Sequence, residues 1–344
     1  MSNPKPFRVA INGYGRIGQC VLRALYENGY RDHLQVVAIN ELSDIDTIAH
    51  LTRYDSTHGR FRGDIDVQGD DLVVNGDHIR ILRHPEAEAL PWRLLDVDLV
   101  LECTGAYSDR ATAEKHIDAG ARRLLFSQPA ESDVDRTVVF GINHQQLNAA
   151  DRIVAAGSCT TNCLVPVIKV LDDAFGVEQG STTTIHAAMN DQPVIDAYHH
   201  QDLRRTRSAL HNIVPVDTGL ARGIERLLPE MEGRFSSVAM RVPTLNVSAI
   251  DMVVNVEKAT TIREVNDLLS GAAKGPLKGI LGYTDELLAS SDFNHDAHSG
   301  VVDGGQTRVT GGTMVKVLCW FDNEWGFANR MLDVSQSWLK TTDN

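Results

Sequence analysis

Cys159 and His186 are the residues of this sequence best suited to nucleophilic chemistry. Cys159 stands between an apolar segment and a second apolar segment with helical spacing, so its sulfur is expected at a helix N-terminus. Partial positive charge at that end favours a thiolate, so we expect a lowered pKa for the thiol. His186 ends the β-branched segment TTTIH, a rigid place from which an imidazole could take the thiol proton. The alternative for His186 is a hydrogen-bonded core histidine.

Two groups of residues have spacings that could also suggest a metal site. Cys163 follows Cys159 by four residues, but no matching Cys/His pair lies elsewhere and Cys163 falls inside the helix pattern. We therefore interpret Cys163 as a core residue. His295 and His298 lie among acidic residues, and a metal site there is an alternative that we do not favour. The sequence predicts no bound metal.

Residues suited to binding an anion accompany the cysteine and the histidine. They are Ser158 and Thr160 at the same helix end, Arg205 in a polar segment, Thr218 and Gly219 in a turn before a helix, and Arg241 in a strand pattern. An arginine inside an apolar run is costly to bury without a partner, so Arg241 is expected to face a ligand or a carboxylate. A structural salt bridge is the alternative for Arg241.

A glycine-rich segment follows the first apolar run, Phe7 to Asn12. Gly13, Gly15 and Gly18 form a GxGxxG pattern between a strand pattern and a helix pattern, where a pyrophosphate can approach backbone N–H groups. Glu41 follows the second strand pattern, where a carboxylate can bind a ribose 2′-hydroxyl and repel a 2′-phosphate. The pattern predicts a dinucleotide site that prefers NAD to NADP, and a surface Glu41 in a loop is the alternative.

These residues must be positioned by two kinds of sheet. Apolar segments without alternation are typical of buried parallel strands, and they recur at residues 34–40, 97–103, 123–127, 137–141 and 152–156. Residues 1–158 therefore predict a Rossmann-type, doubly wound parallel sheet that binds NAD, with a polar excursion of two or three strands at 64–83. Alternating runs at 236–258 indicate a mostly antiparallel sheet, so 159–323 predict an α+β catalytic domain. The helix predicted over 324–344 is expected to pack back on the first domain.

Composition excludes several classes of partner. The 344 residues carry a net charge of −13, which disfavours nucleic acid or an anionic membrane as the main partner. No apolar run approaches the roughly 20 residues of a membrane span. Five cysteines are an odd and sparse set, which fits reduced thiols. With no apolar signal segment before Phe7, we expect a cytoplasmic protein.

Taken together, the segments INGYGRIG, AINEL, ECTG, SCTTNC, TTIHA, PVDTG, RVPT and FDNEWGFANRM resemble the glyceraldehyde-3-phosphate dehydrogenase superfamily from about residue 7 to about residue 335. The resemblance implies Cys159 as the nucleophile and His186 as the residue that activates it. It implies NAD as the cofactor, a small phosphorylated aldose as the substrate and assembly into a homotetramer. Cofactor contacts are implied at Gly13, Gly15, Arg16, Ile17, Gly18, Glu41, Thr104, Gly105 and, at the nicotinamide carboxamide, Asn323. Substrate contacts are implied at Ser158, Thr160, Arg205, Thr218, Gly219 and Arg241.

Within that superfamily the sequence departs from the glycolytic pattern. Glu41 stands where glycolytic members usually have Asp, Met189 stands where they place a phosphate-binding Thr, and FDNEWGF replaces YDNEWGY. The segments AAMNDQPVIDAYH and DLRRTR resemble the erythrose-4-phosphate dehydrogenase branch, which makes 4-phosphoerythronate on the way to pyridoxal 5′-phosphate.

The methionine at position 189 has a predictable effect on phosphate binding. A hydrogen bond to a charged group is worth about 1.5–3 kcal/mol, so losing the hydroxyl weakens phosphate binding and favours water as the acyl acceptor. The alternatives are a phosphorylating glyceraldehyde-3-phosphate dehydrogenase and, from another class, a non-enzymatic NAD- or nucleic-acid-binding module. The polar loop over 190–212 is expected to be an inter-subunit element, on the strength of the resemblance.

Overall fold

The computed structural model describes residues 5–199 and 202–342, and the chain divides into two compact units. Unit 1 comprises Met1–Ser158 and Ala328–Asn344, and unit 2 comprises Cys159–Phe327. Residues 1–4 of the predicted first domain, 343–344 of the predicted last helix and 200–201 of the predicted loop lie outside the described residues.

Unit 1 is built around one large sheet. Its strands are β1 (Phe7–Asn12), β2 (Leu34–Asn40), β3 (Tyr54–Asp55), β4 (Gly59–Arg60), β5 (Ile65–Gln68), β6 (Asp71–Val74), β7 (Asp77–Leu82), β8 (Leu99–Glu102), β9 (Arg123–Phe126), β10 (Arg136–Thr137) and β11 (Ile153–Ala155). Its helices are α1 (Arg16–Glu27), α2 (Ile45–Arg53) and α3 (Arg110–Asp118).

The sheet order is β10-β11-β9-β8-β1-β2-β7-β6-β5, and β3 pairs with β4 separately. The pairing is parallel from β10 to β7, and β5, β6 and β7 form an antiparallel meander at the edge. The predicted doubly wound parallel sheet is therefore confirmed. Chain order reverses between β1 and β8, so their carboxyl ends form the crevice in which such sheets bind ligands.

The strand predicted at 137–141 is shorter in the structure. β10 ends at Thr137, and Asn143 turns the chain by accepting a hydrogen bond from the Val139 N–H (2.8 Å) and donating one to the Thr137 carbonyl (2.9 Å). Gly141 lies within this turn and has φ +91°. The Val138 N–H still donates to the Ala155 carbonyl (2.8 Å), and the Asn143 amide binds the backbone of Thr137 and Val139 on either side of it.

Unit 2 contains a seven-stranded mixed sheet. Its strands are β12 (Val177–Ala187), β13 (Val214–Val216), β14 (Phe235–Val242), β15 (Ser248–Val256), β16 (Leu281–Thr284), β17 (Gly300–Thr310) and β18 (Met314–Phe321), in the order β13-β14-β12-β15-β18-β17-β16. Its helices are α4 (Cys159–Phe175), α5 (Leu220–Leu227) and α6 (Ile262–Lys274).

Most pairs in this second sheet are antiparallel, but β12 pairs with β14, and β16 with β17, in parallel. The apolar pattern of the sequence does not predict β16 or β17. Residues 304 and 305 are glycines, and the register of β17 against β18 shifts between Asp303 and Arg308. The irregularity interrupts the period-2 alternation that would indicate a strand.

The last helix, α7 (Trp325–Leu339), begins in unit 2, and from Ala328 onward it belongs to unit 1. There the Tyr30 hydroxyl donates to Asp333 Oδ1 (2.8 Å), and the Arg123 guanidinium donates to the Trp338 carbonyl (2.7 Å). No helix in the described part of the chain is long and apolar enough to cross a membrane.

Candidate active site

Cys159 is the first residue of α4 and is partly exposed, whereas Cys20, Cys103, Cys163 and Cys319 are buried. Burial of the sulfur raises the pKa of the Cys159 thiol to about 11, against smaller lowering effects of the Thr160 backbone N–H and of Arg241. The expectation of a lowered pKa was therefore wrong. The helix N-terminus does lower the pKa of the thiol, as predicted. Removal of water from the thiolate raises that pKa by more.

His186 lies near the end of β12, with its Nε2 atom 3.8 Å from Cys159 Sγ. Its Nδ1 atom is 2.8 Å from the carbonyl oxygen of Ala187, which can only accept, so Nδ1 carries a proton. In the neutral ring the Nε2 lone pair then faces the thiol. Burial lowers the pKa of His186 to about 4, so the ring is neutral near pH 7. The arrangement suits Nε2 for accepting the thiol proton.

Arg241 lies on β14, in register with His186 on the parallel strand β12. Its side chain is only 10% exposed, and its NH1 group donates to Asp191 Oδ1 (3.0 Å) and Gln192 Oε1 (3.2 Å). The sequence predicted that Arg241 would face either a ligand or a carboxylate. The structure shows a carboxylate, that of Asp191.

Arg205 lies in a short 3-10 turn, Leu203–Thr206, and its NH1 group donates to Asp191 Oδ2 (3.0 Å). One carboxylate therefore bridges Arg205 and Arg241, with one oxygen for each guanidinium. Sequence reasoning missed Asp191 and Gln192. A signal was present, because a buried arginine requires an acid or amide nearby and both residues follow His186 within six positions.

Thr218 and Gly219 precede α5, and the Thr218 hydroxyl accepts a hydrogen bond from the Leu220 N–H (3.2 Å). A Cβ on Gly223 would meet the Thr161 side chain at 2.6 Å, so the first turns of α5 and α4 are in close contact. This packing places the Thr218 turn beside the helix end that carries Thr160 and the nucleophile. Ser158 directly precedes Cys159 and is the last residue of the first segment of unit 1.

Asn323 is tied to the strand end that carries His186. The Ser248 hydroxyl donates to Asn323 Oδ1 (2.8 Å) and accepts from the Ala187 N–H (3.0 Å). With Oδ1 engaged, the NH₂ group of Asn323 is the part of the side chain suited to donate to a ligand carbonyl, such as that of a nicotinamide carboxamide.

The glycine-rich loop in unit 1 has three distinct geometries. Gly13 has φ +87°, and a Cβ there would lie 2.6 Å from the Thr104 backbone nitrogen. A Cβ on Gly18 would collide with the Gly13 carbonyl oxygen. Gly15 caps the N-terminus of α1, and nothing lies within 4 Å of the place where its Cβ would be. The space at Gly15 and the exposed helix end suit a pyrophosphate.

Two family models match the chain. Residues 158–323 match "Glyceraldehyde 3-phosphate dehydrogenase, C-terminal domain", and residues 7–110 match "Glyceraldehyde 3-phosphate dehydrogenase, NAD binding domain". The chain belongs to the glyceraldehyde 3-phosphate dehydrogenase family. This dehydrogenase is accordingly an NAD-dependent oxidoreductase of a family that acts on phosphorylated aldehydes.

The remaining predicted cofactor residues of the dehydrogenase surround the glycine loop. Glu41 Oε2 accepts a hydrogen bond from the Tyr14 N–H (2.9 Å), so this carboxylate is held against the loop. The Arg16 guanidinium pairs with Asp55, which leaves the backbone at Arg16 and Ile17, in the first turn of α1, as the group suited to bind phosphate oxygens.

Thr104 and Gly105 follow β8, at the crevice edge of the sheet. The Thr104 N–H donates to Glu102 Oε1 (2.9 Å), and Gly105 has φ +71°. Two asparagines that sequence reasoning missed lie at the ends of β1 and β2. The Asn40 side chain donates to Asn12 Oδ1 (2.7 Å), and both residues line a polar cavity. Amides at such a strand end are suited to the adenosine half of NAD.

The two histidines considered for a metal have protein partners in unit 2. The His295 ring stacks on Trp325 with ring centres 3.6 Å apart. His298 Nδ1 forms a hydrogen bond with Asp296 Oδ1 (2.7 Å). These contacts account for both side chains in the fold.

Proposed function

We propose that this dehydrogenase oxidises D-erythrose 4-phosphate to 4-phospho-D-erythronate with NAD⁺ and releases the acyl group to water, as a cytoplasmic step of pyridoxal 5′-phosphate biosynthesis. The observation that carries the proposal is the position of Met189. Its backbone N–H donates to Gln192 Oε1 (3.4 Å), and the same oxygen accepts from Arg241 (3.2 Å). A thioether, rather than a hydroxyl donor, therefore stands in the turn that holds the arginine.

In the first step, the Cys159 sulfur attacks the aldehyde carbon while His186 Nε2 takes the thiol proton. The proton passes to the aldehyde oxygen, which gives a thiohemiacetal. Bound NAD⁺ supplies the hydride acceptor. As the hydride leaves the carbon, His186 takes the hydroxyl proton and releases it to solvent, so that a thioester of Cys159 and a neutral imidazole remain.

In the second step, water attacks the thioester carbon and His186 takes a proton from that water. The carbon–sulfur bond breaks, His186 returns that proton to the sulfur, and the carboxylic acid leaves. A phosphorylating enzyme would instead use inorganic phosphate as the acyl acceptor. The predicted anion-binding residues would then have to supply hydrogen-bond donors for it. Replacing a hydroxyl by the Met189 thioether removes about 1.5–3 kcal/mol from such binding, roughly a 10- to 100-fold effect.

A phosphorylating glyceraldehyde-3-phosphate dehydrogenase is the second candidate function. Two arginines, Arg205 and Arg241, converge on a single carboxylate, and Thr218 lies at the helix packed beside α4. This set could hold inorganic phosphate without the hydroxyl that Met189 replaces.

The experiment that tests the proposal measures NADH production at saturating NAD⁺ with erythrose 4-phosphate or glyceraldehyde 3-phosphate, each with and without inorganic phosphate. We expect faster turnover of the four-carbon sugar and no phosphate requirement. A strong preference for the three-carbon sugar with an absolute phosphate requirement would establish the glycolytic alternative.

A variant series isolates the contribution of Met189. The Met189→Thr variant should gain phosphate-stimulated turnover, because it restores a hydroxyl donor in the turn that holds the arginine. Met314→Thr is the matched control, since Met314 is similarly exposed (43% against 45%) and lies at the start of β18. Equal phosphate responses of both variants would contradict the assigned role of Met189.

We also propose that the protein is a homotetramer. The loop over 190–212 and the residue after it carry apolar side chains that are more than half exposed: Val194, Ile195, Tyr198, Leu203, Leu210 and Ile213. Contact with further copies would remove this apolar surface from water. Sedimentation equilibrium should give four chains per particle, and Ile195→Glu should shift the assembly toward smaller species. A monomer at micromolar concentration would contradict the proposal.

A further inference from the structure

The Asp191 carboxylate lies between two arginines that were expected to bind substrate phosphate. Its Oδ1 accepts from Arg241 NH1 and its Oδ2 from Arg205 NH1, each at 3.0 Å. The Asp191 side chain is 36% exposed, more than either of its partners. It forms a hydrogen bond with one N–H group of each guanidinium.

The electrostatic consequence follows from burial. Arg241 is 10% exposed and Arg205 is 23% exposed, so water compensates their charges only in part. Two partly buried guanidiniums repel each other, and a shared carboxylate offsets that repulsion. The protein therefore supplies its own anion where the arginines converge.

An incoming phosphate is attracted to the same two guanidiniums. Phosphate oxygens bind guanidinium N–H groups in the way that carboxylate oxygens do, and two anions cannot share the same donors without strong repulsion. A phosphate that reaches this pair must displace the Asp191 carboxylate or bind against its charge.

We propose that Asp191 competes with phosphate groups for the positive charges of Arg205 and Arg241. This inference rests on the proposed role of the two arginines as anion ligands. The carboxylate lowers the affinity for any phosphate at this pair and is displaced when substrate binds. A purely structural salt bridge makes the opposite prediction, because its loss would disorder the arginines and weaken phosphate binding.

The test is calorimetric titration of inorganic phosphate into the NAD⁺-saturated protein. The Asp191→Asn variant should bind phosphate about tenfold more tightly than the unchanged protein, and the gain should shrink as ionic strength rises. Asp191→Glu keeps the charge and should restore the weaker affinity. Unchanged or weakened phosphate binding in Asp191→Asn would overturn the inference.

Two further variants separate the possible failures. Asp196→Asn is the matched control, because Asp196 pairs with Arg207 (2.8 Å) in the same loop and, among the described residues, forms no ion pair with Arg205 or Arg241. It should leave phosphate affinity unchanged, and an equal gain there would show a general charge effect and overturn the inference.

Arg241→Gln should weaken phosphate binding. If it does not, the anion-binding role of Arg241 fails and the role of Asp191 fails with it. If Arg241→Gln weakens phosphate binding but Asp191→Asn does not strengthen it, only the competition by Asp191 is disproved.

Discussion

Arg241 lies directly beside His186 on the neighbouring parallel strand, and its charge acts on both members of the Cys159–His186 pair. Burial raises the pKa of the thiol and lowers that of the imidazole. Arg241 opposes the first effect and reinforces the second, because a positive charge favours a thiolate and disfavours an imidazolium. Before substrate binds, Cys159 is therefore a neutral thiol and His186 a neutral imidazole.

Among the five cysteines, Cys159 should be alkylated first. Iodoacetamide at pH 7 is expected to modify one thiol per chain, because the other four cysteines are buried. The rate should keep rising from pH 7 to pH 9, since a thiol pKa of about 11 leaves little thiolate at neutral pH. Mass spectrometry of quenched samples measures both. Cys159→Ser is the control and should remain unlabelled until it is unfolded, whereas a rate that levels off below pH 8 would contradict the raised pKa.

Removal of the proton acceptor should affect turnover more than folding. His186→Asn is expected to lower kcat for NADH formation by about 10²–10⁴-fold, the usual range for loss of a general base. In the unchanged protein kcat/KM should stay flat down to about pH 5 and fall below it, as the imidazole with a pKa of about 4 becomes protonated. His78→Asn, at a half-exposed histidine of unit 1, is the control and should keep full activity. An equal loss in both variants would refute the assignment.

The choice of cofactor should depend on Glu41. Its carboxylate is held by the Tyr14 N–H against the glycine loop, where it would meet a ribose 2′-hydroxyl. Glu41→Gln is expected to raise KM for NAD⁺ about tenfold and to weaken the discrimination against NADP⁺, because a charged acceptor becomes neutral. Steady-state kinetics with both cofactors measure the ratio. An unaltered ratio of NAD⁺ to NADP⁺ efficiency would place Glu41 outside the ribose site.

Stability should fall in acid because of a histidine in unit 1. His116 is 1% exposed, and its Nδ1 accepts a hydrogen bond from the Trp92 indole N–H (3.1 Å), which an imidazolium could not do. Burial lowers the pKa of His116 from 6.5 to about 4. Between those values the unfolded chain binds a proton that the folded chain does not, so stability is lost as pH falls through that window.

The expected loss attributable to His116 is on the order of 1–2 kcal/mol at pH 5 relative to pH 7. Urea unfolding at the two pH values measures it. His116→Gln should be less stable at pH 7 but should lose less stability on acidification than the unchanged protein does. Part of the slope will remain in His116→Gln, because His186 titrates in the same direction. A stability profile of His116→Gln that is parallel to that of the unchanged protein would contradict the role of His116.

Much of the fold could be predicted from the chain alone. The strands Phe7–Asn12 and Leu34–Asn40 have the bounds expected from their apolar runs, because a strand buried on both faces needs no polar positions and ends where polar residues or glycine begin. Cys159 could likewise be placed at a helix N-terminus from the change of pattern on either side of it. Such features depend on neighbours in sequence, which a single chain displays directly.

Only the tertiary structure decided the electrostatics of the site. His186 and Arg241 are 55 positions apart and become neighbours through a parallel pairing, whereas the alternating runs had indicated a mostly antiparallel sheet. The bridge from Asp191 to Arg205 and Arg241 depends on the path of a loop without regular periodicity. The raised pKa of Cys159 required knowing how much protein surrounds the sulfur. Local sequence determines the helix dipole, but burial comes from distant segments, and here burial is the larger effect.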